Sequence, residues 1–210
     1  MSIDLRSLER QFHSDGYRLG MEVVDAADKE EALLAGVKVL LGTVDELVDS
    51  FSEFAARENQ KPECKKGCFW CCHQPVFALN YELVYLKDFI SRSFDAETQK
   101  RIAVRAGEKK RKLERLSGES LLNSKFPCPL LEDGSCIAYA ARPVACRIYL
   151  STKLQSCLKF YSEPENEDSI PELLQLPMRL GRMLNEGFKS ALKAGGIDVT
   201  EFRVEEKLAG

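Results

Sequence analysis

Four thiols fall within nine residues in Cys64-Lys65-Lys66-Gly67-Cys68-Phe69-Trp70-Cys71-Cys72. A Cys-x2-Cys knuckle lets one turn aim two sulfurs at one ion, and Gly67 relieves the backbone beside such a turn. Lys65 and Lys66 lower neighbouring thiol pKa values and offset thiolate charge. A second set, Cys128-x7-Cys136-x9-Cys146, is followed by Cys157. Free cysteines that only pack are usually scattered, so this clustering marks Cys64, Cys68, Cys71, Cys72, Cys128, Cys136, Cys146 and Cys157 as candidate metal ligands. All-thiol ligation excludes magnesium and calcium and leaves zinc, an iron–sulfur cluster or Cu(I). One zinc takes four ligands, so eight thiols suit two zincs, or one cluster with spare cysteines. Adjacent side chains in extended backbone point opposite ways, which makes Cys71-Cys72 awkward for one small ion and easier for a larger cluster or for two sites. The preferred reading is an iron–sulfur cluster or iron, with zinc as the alternative. His73, beside the cluster, is expected to be solvated rather than a ligand.

The segments Lys61 to Val76 and Phe126 to Ser156, with Cys157 just beyond, are rich in turn residues: Pro62, Gly67 and Pro75, then Pro127, Pro129, Asp133-Gly134 and Pro143. Elsewhere the pattern is helical. Leu33, Val37, Leu40, Leu41, Val44, Leu47, Val48 and Phe51 mark one buried face between Asp28 and Asn59, as one long helix or two broken near Gly42. Helices are also predicted from Asn80, as N-cap, to Ser91; from Asp95 to a terminating Gly118; and from Pro171 to Lys193, with a break at Pro177 and a stop at Gly195-Gly196. The 55 residues between Cys72 and Cys128 hold two of these helices, so the two cysteine segments can converge on one site. The entropy of closing that loop would be offset by metal binding.

The fold class expected is therefore mainly α, with helices packed around an irregular cysteine-rich metal-binding core and little or no β. The organisation expected is an N-terminal helical segment (1–60), a cysteine-cluster core with two inserted helices (61–160) and a C-terminal helical segment (161–210), all in one compact domain. The chain has 210 residues, 44% apolar and 30% charged, with a formal charge of −3. That composition excludes disordered, collagen-like and membrane classes and gives no reason to expect nucleic acid. Met1 to Arg10 carries charges instead of a secretory apolar stretch, and no run has the length of a membrane span. A cytoplasmic location follows as an expectation, and reducing conditions there favour metal-ligating over disulfide-bonded cysteines. The run Lys100 to Arg115 carries a local +6. It reads as a solvated helix face in preference to a surface for RNA or an acidic partner.

The pair of motifs C-K-K-G-C-F-W-C-C and C-P-L-L-E-D-G-S-C-I-A-Y-A-A-R-P-V-A-C-R-I-Y resembles the YkgJ-like cysteine-cluster family, described as zinc- or iron-chelating domains. The match runs from about Cys64 to Tyr149 and leaves the flanking helices and Cys157 outside. It implies Cys64, Cys68, Cys71, Cys72, Cys128, Cys136 and Cys146 as ligands, with Arg142, Pro143 and Arg147 beside them. Arg142 and Arg147 are expected to neutralise thiolate charge and donate hydrogen bonds at the centre; an anion site is the competing role. The spacing Cys64-x3-Cys68-x2-Cys71 also resembles the loop of radical S-adenosylmethionine enzymes, but the alternating strand–helix pattern those require is missing. Three functions remain: a redox or cluster-dependent metalloprotein, a structural zinc module presenting helices to a protein partner, and a cluster-dependent protein-modifying enzyme, since flagellin lysine methylases carry a similar cysteine motif.

Overall fold

The computed structural model describes residues 4–58 and 61–209, so the expected helix end at Asn59 lies outside the described residues. α1 (Leu5–Asp25) starts at Asp4, whose carboxylate caps Arg6 N–H. α2 (Lys29–Arg57) starts at Asp28, whose side chain accepts from Glu30 and Glu31 N–H, and it runs unbroken through Gly42. Gly42 meets no neighbour there, so nothing bends the helix. β1 (Phe77–Leu79) leads into α3 (Asn80–Ser93). The cap falls one residue earlier than expected, because the Glu82 carboxylate accepts from Leu79 N–H at 3.0 Å. α4 (Ala96–Leu113) starts at Asp95 as expected but ends before Gly118, which instead opens the short α5 (Gly118–Leu122).

The second cysteine segment carries the hairpin β2 (Leu131–Glu132) and β3 (Ser135–Cys136), then α6 (Val144–Ile148) and α7 (Leu154–Ser162). α8 (Gln175–Ala194) does not break at Pro177, which sits in its first turn where no N–H has a helical partner to lose. It stops at Gly195-Gly196 as expected. β4 (Glu201–Arg203) pairs antiparallel with β1, Ala78 opposite Phe202, and α9 (Val204–Leu208) follows. The fold is mainly α, with two small two-stranded sheets.

Close packing ties the two ends of the chain together. A Cβ on Gly16 would stand 1.9 Å from Leu184 C=O, and one on Gly187 would stand 1.9 Å from His13 C=O, so α1 and α8 run parallel with backbones nearly touching. α2, Tyr81 of α3 and α6 join them in one apolar core through Leu40, Val44, Ile148, Leu184 and Phe188. The opposite face of α3 packs a second core against α4, the second cysteine segment and α9 through Leu83, Leu86, Ile102, Leu130 and Val204. Cys64 rests against the first core, and Cys128 and Cys136 rest against the second. The cysteines therefore occupy the seam between two rigid halves. No described helix is long and apolar enough to cross a membrane.

Candidate metal centre

Local geometry builds the first segment. Gly67 has φ +92, a left-handed conformation that suits glycine, and Cys68 N–H closes the turn on Lys65 C=O at 2.9 Å. Trp70–His73 then form one turn of 3-10 helix. Successive side chains on such a turn are about 120° apart rather than opposed. Cys71 and Cys72 are therefore close enough for each thiol to shift the other's pKa, where extended backbone would have separated them.

The second segment reaches the first directly, with Cys128 N–H donating to Cys72 C=O at 2.7 Å. From Cys128 the chain turns through Leu131 N–H to Cys128 C=O at 3.0 Å into the β2–β3 hairpin. Asp133 and Gly134 both take positive φ, as a type I′ turn requires, and Cys136 pairs with Leu131. Cys146 comes from α6, anchored at its start by Val144 N–H donating to the buried Glu82 carboxylate at 2.8 Å. One glutamate thus fixes the first turns of both α3 and α6. Its own burial raises its pKa despite these hydrogen bonds.

Seven of the thiols, all but that of Cys157, line one cavity of about 680 Å³. Cys72, Cys128, Cys136 and Cys146 form a tetrad within it in which the charge of Cys72 acts on each of the other three. Burial pushes Cys136 up to about 12, and the charges of Cys128 and Cys72 add to the rise. Burial also raises Cys146, followed by Cys128, Cys72 and Cys136. Cys128 is raised by burial too, with Cys72 contributing. Cys72 moves the other way: the hydrogen bond from Cys71 holds it below the ordinary thiol value, helped by Lys109 and Arg142. That same bond, with burial, drives Cys71 up. Burial raises Cys64 and Cys68, and Cys157, 8% exposed on α7, adds to both rises. Ser151 N–H donates to Cys64 Sγ at 3.1 Å. Among the described residues, no three Cys, His, Asp or Glu side chains are gathered as a ready-made single-ion site.

The two arginines separate. Arg142 lines the cavity and stacks 3.8 Å over the Tyr139 ring. Arg147, 2% exposed, spends its guanidinium on Asp45 of α2, on Arg142 C=O at 2.8 Å and on Ala140 C=O at 2.6 Å. It braces the loop that carries Arg142 and Cys146 and is not among the cavity-lining residues. His73 is half-buried, not solvated as expected, with Nδ1 3.2 Å from Phe69 C=O and its ring 5.0 Å from Tyr161. Trp70 packs on Tyr161 and Phe69, making an aromatic cluster on the 3-10 turn.

The basic run contains an exception to its expected solvation. Lys109 is 4% exposed, occupying the buried stripe Ile102, Ala106, Lys109, Leu113 of α4. The signal was present in the spacing, since Lys109 sits where the helical period calls for an apolar residue. Asp45 and Glu82 had no comparable signal, because their partners are distant in sequence. Comparison with protein-family models, with curated proteins and with solved structures found no match to this chain. The YkgJ-like resemblance therefore rests on the two cysteine motifs themselves.

Proposed function

We propose that this chain is a cytoplasmic metalloprotein that holds an iron–sulfur cluster at Cys72, Cys128, Cys136 and Cys146 and uses it in a redox or cluster-dependent role. The observation that carries the reading is the convergence of seven thiols on one cavity, where a 3-10 turn, a hairpin and a helix meet and Cys128 N–H bonds directly to Cys72 C=O. The donor set fits such a group: four sulfurs, all eight cysteines free, and the cation Arg142 on the cavity wall. Sulfurs arranged around a cavity also suit a multi-atom group better than a single ion. When bound, a cluster of this kind supplies one-electron transfer. The chain's own part is to keep Cys72 ionised through Cys71, to offset charge with Arg142, and to exclude water with the flanking cores.

A structural zinc is the second reading, because four thiolates complete a tetrahedral zinc site. Anaerobic purification with an absorption spectrum and iron, sulfide and zinc analysis separates the two. The cluster reading expects coloured protein with iron and sulfide, lost in Cys128→Ser and Cys146→Ser and retained in Cys157→Ser. Colourless protein with stoichiometric zinc would select the second reading, and protein without either metal would overturn both.

A further inference from the structure

Lys109 is a buried cation with a single hydrogen bond, from Nζ to Gln74 C=O at 3.3 Å. Its neighbours along α4 are differently placed: Arg101, Arg105 and Lys110 each pair with a glutamate near the surface. Lys109 has no carboxylate within salt-bridge reach among the described residues. An ammonium removed from water requires a compensating anion and partners for its three N–H groups. Gln74 uses one of the three. Gln74 N–H itself donates to Cys71 C=O at 3.2 Å, so the ammonium lies at the end of the turn that holds the vicinal thiols. Cys128 is tied to that same turn through Cys72 C=O.

We propose that Lys109 is the positioning residue of the first cysteine turn, holding it through Gln74 C=O, and that its buried charge offsets that of a metal-bound tetrathiolate. The inference rests on the metal-centre reading above. Its competitor is Glu205 of α9, 1% exposed, with Oε1 2.7 Å from Arg203 and Oε2 without a partner. Glu205 also acts on Cys128, so a purely structural balance between Lys109 and Glu205 is the alternative to exclude.

The test uses the full chain, purified anaerobically with its metal, as wild type, Lys109→Gln, Lys109→Met, Lys109→Arg and Glu205→Gln. The readout is the rate of metal loss to excess chelator, with helicity of each metal-free chain measured alongside. Removing a supporting partner of a metal ligand typically weakens metal binding 10–100-fold, so Lys109→Gln and Lys109→Met should lose metal at least about tenfold faster. Lys109→Arg should stay within about threefold of wild type, and Glu205→Gln should not be faster. Lys109→Gln can keep the contact to Gln74 C=O and decides the matter if Lys109→Met does not fold. A wild-type rate in Lys109→Gln, an equal loss in Glu205→Gln, or lost helicity in metal-free Lys109→Gln overturns the inference while leaving the metal centre standing. A wild type that takes up no metal overturns the centre itself, and the inference with it.

Discussion

Replacing Arg147 with Met probes the brace beneath the second cysteine segment. The wild-type guanidinium is 2% exposed and makes hydrogen bonds to Arg142 C=O and Ala140 C=O besides its pair with Asp45. Hydrogen bonds to a charged group contribute about 1.5–3 kcal/mol each, and the two carbonyls would find no replacement in a methionine thioether. Asp45 keeps 45% of its side-chain surface in water and rehydrates when released, so its loss adds less than about 1 kcal/mol. The sum is about 3–7 kcal/mol, which spans the range for breaking a buried pair. With a urea slope of about 2.5 kcal/mol per molar, the unfolding midpoint should fall by about 1–3 M. Arg147→Lys keeps the charge but loses the planar fork, and should recover less than half of the difference. Urea unfolding followed by far-UV circular dichroism measures both variants. A midpoint within about 0.3 M of wild type for Arg147→Met, or full recovery in Arg147→Lys, would refute the assignment of the guanidinium to the two carbonyls.

Gly16→Ala forces a methyl group onto Leu184 C=O, backbone that cannot yield, so α1 must lift from α8; a loss of about 3 kcal/mol, or roughly 6–12 °C in Tm, is expected. Gly42→Ala on the open face of α2 should instead stabilise by about 0.5–1 kcal/mol, and thermal melts that fail to separate the two variants would contradict the close α1–α8 packing. Burial raises the pKa of Glu82 in the folded chain above its unfolded value of 4.5, so the native state holds this proton more tightly. Its contribution to stability is complete below pH 4.5 and is lost as pH rises through the folded pKa. Urea midpoints across that window should therefore slope down in wild type more steeply than in Glu82→Gln, and equal slopes would show that Glu82 does not titrate as its burial requires.

The helical frame is legible in the sequence because its signals are local. Asp28 and Asp95 start the helices expected of them, and Gly195-Gly196 stops α8. The failures at the helix ends are places where one local capping signal outweighs another. Asn80 is a good cap by type, yet the Glu82 carboxylate moves the helix start to Leu79. Gly118 has the positive φ of a terminator, φ +53, but begins a new helix after Ser117. At the site, cysteine spacing brings out the thiols but not their grouping, because which of them line one cavity depends on how the hairpin and α6 dock against α3. Arg147 was legible as a motif residue, but its partner Asp45 lies 102 residues earlier, a separation that no local pattern spans. Lys109 could be read as a charge out of place on an apolar stripe; that its ammonium reaches Gln74 C=O, 35 residues earlier, depends on tertiary packing.

The pairing of β1 with β4 has a consequence for synthesis. Phe77–Leu79 lies just after the first cysteine segment, whereas its partner Glu201–Arg203 is made near the end of the described chain. Glu201 and Val204 line the thiol cavity, and Val204 N–H docks on Val76 C=O at 3.0 Å. On a ribosome adding about 5–20 residues per second, the roughly sixty residues from Cys146 to Leu208 take several seconds to arrive. Throughout that interval Cys146, the last of the four thiols, exists while the wall that shields it does not. On the metal-centre reading proposed above, the nascent chain passes through a stage with its sulfurs open to solvent, when delivery of metal and attack by oxidants compete for the same atoms, and arrival of the final strand and helix ends that competition.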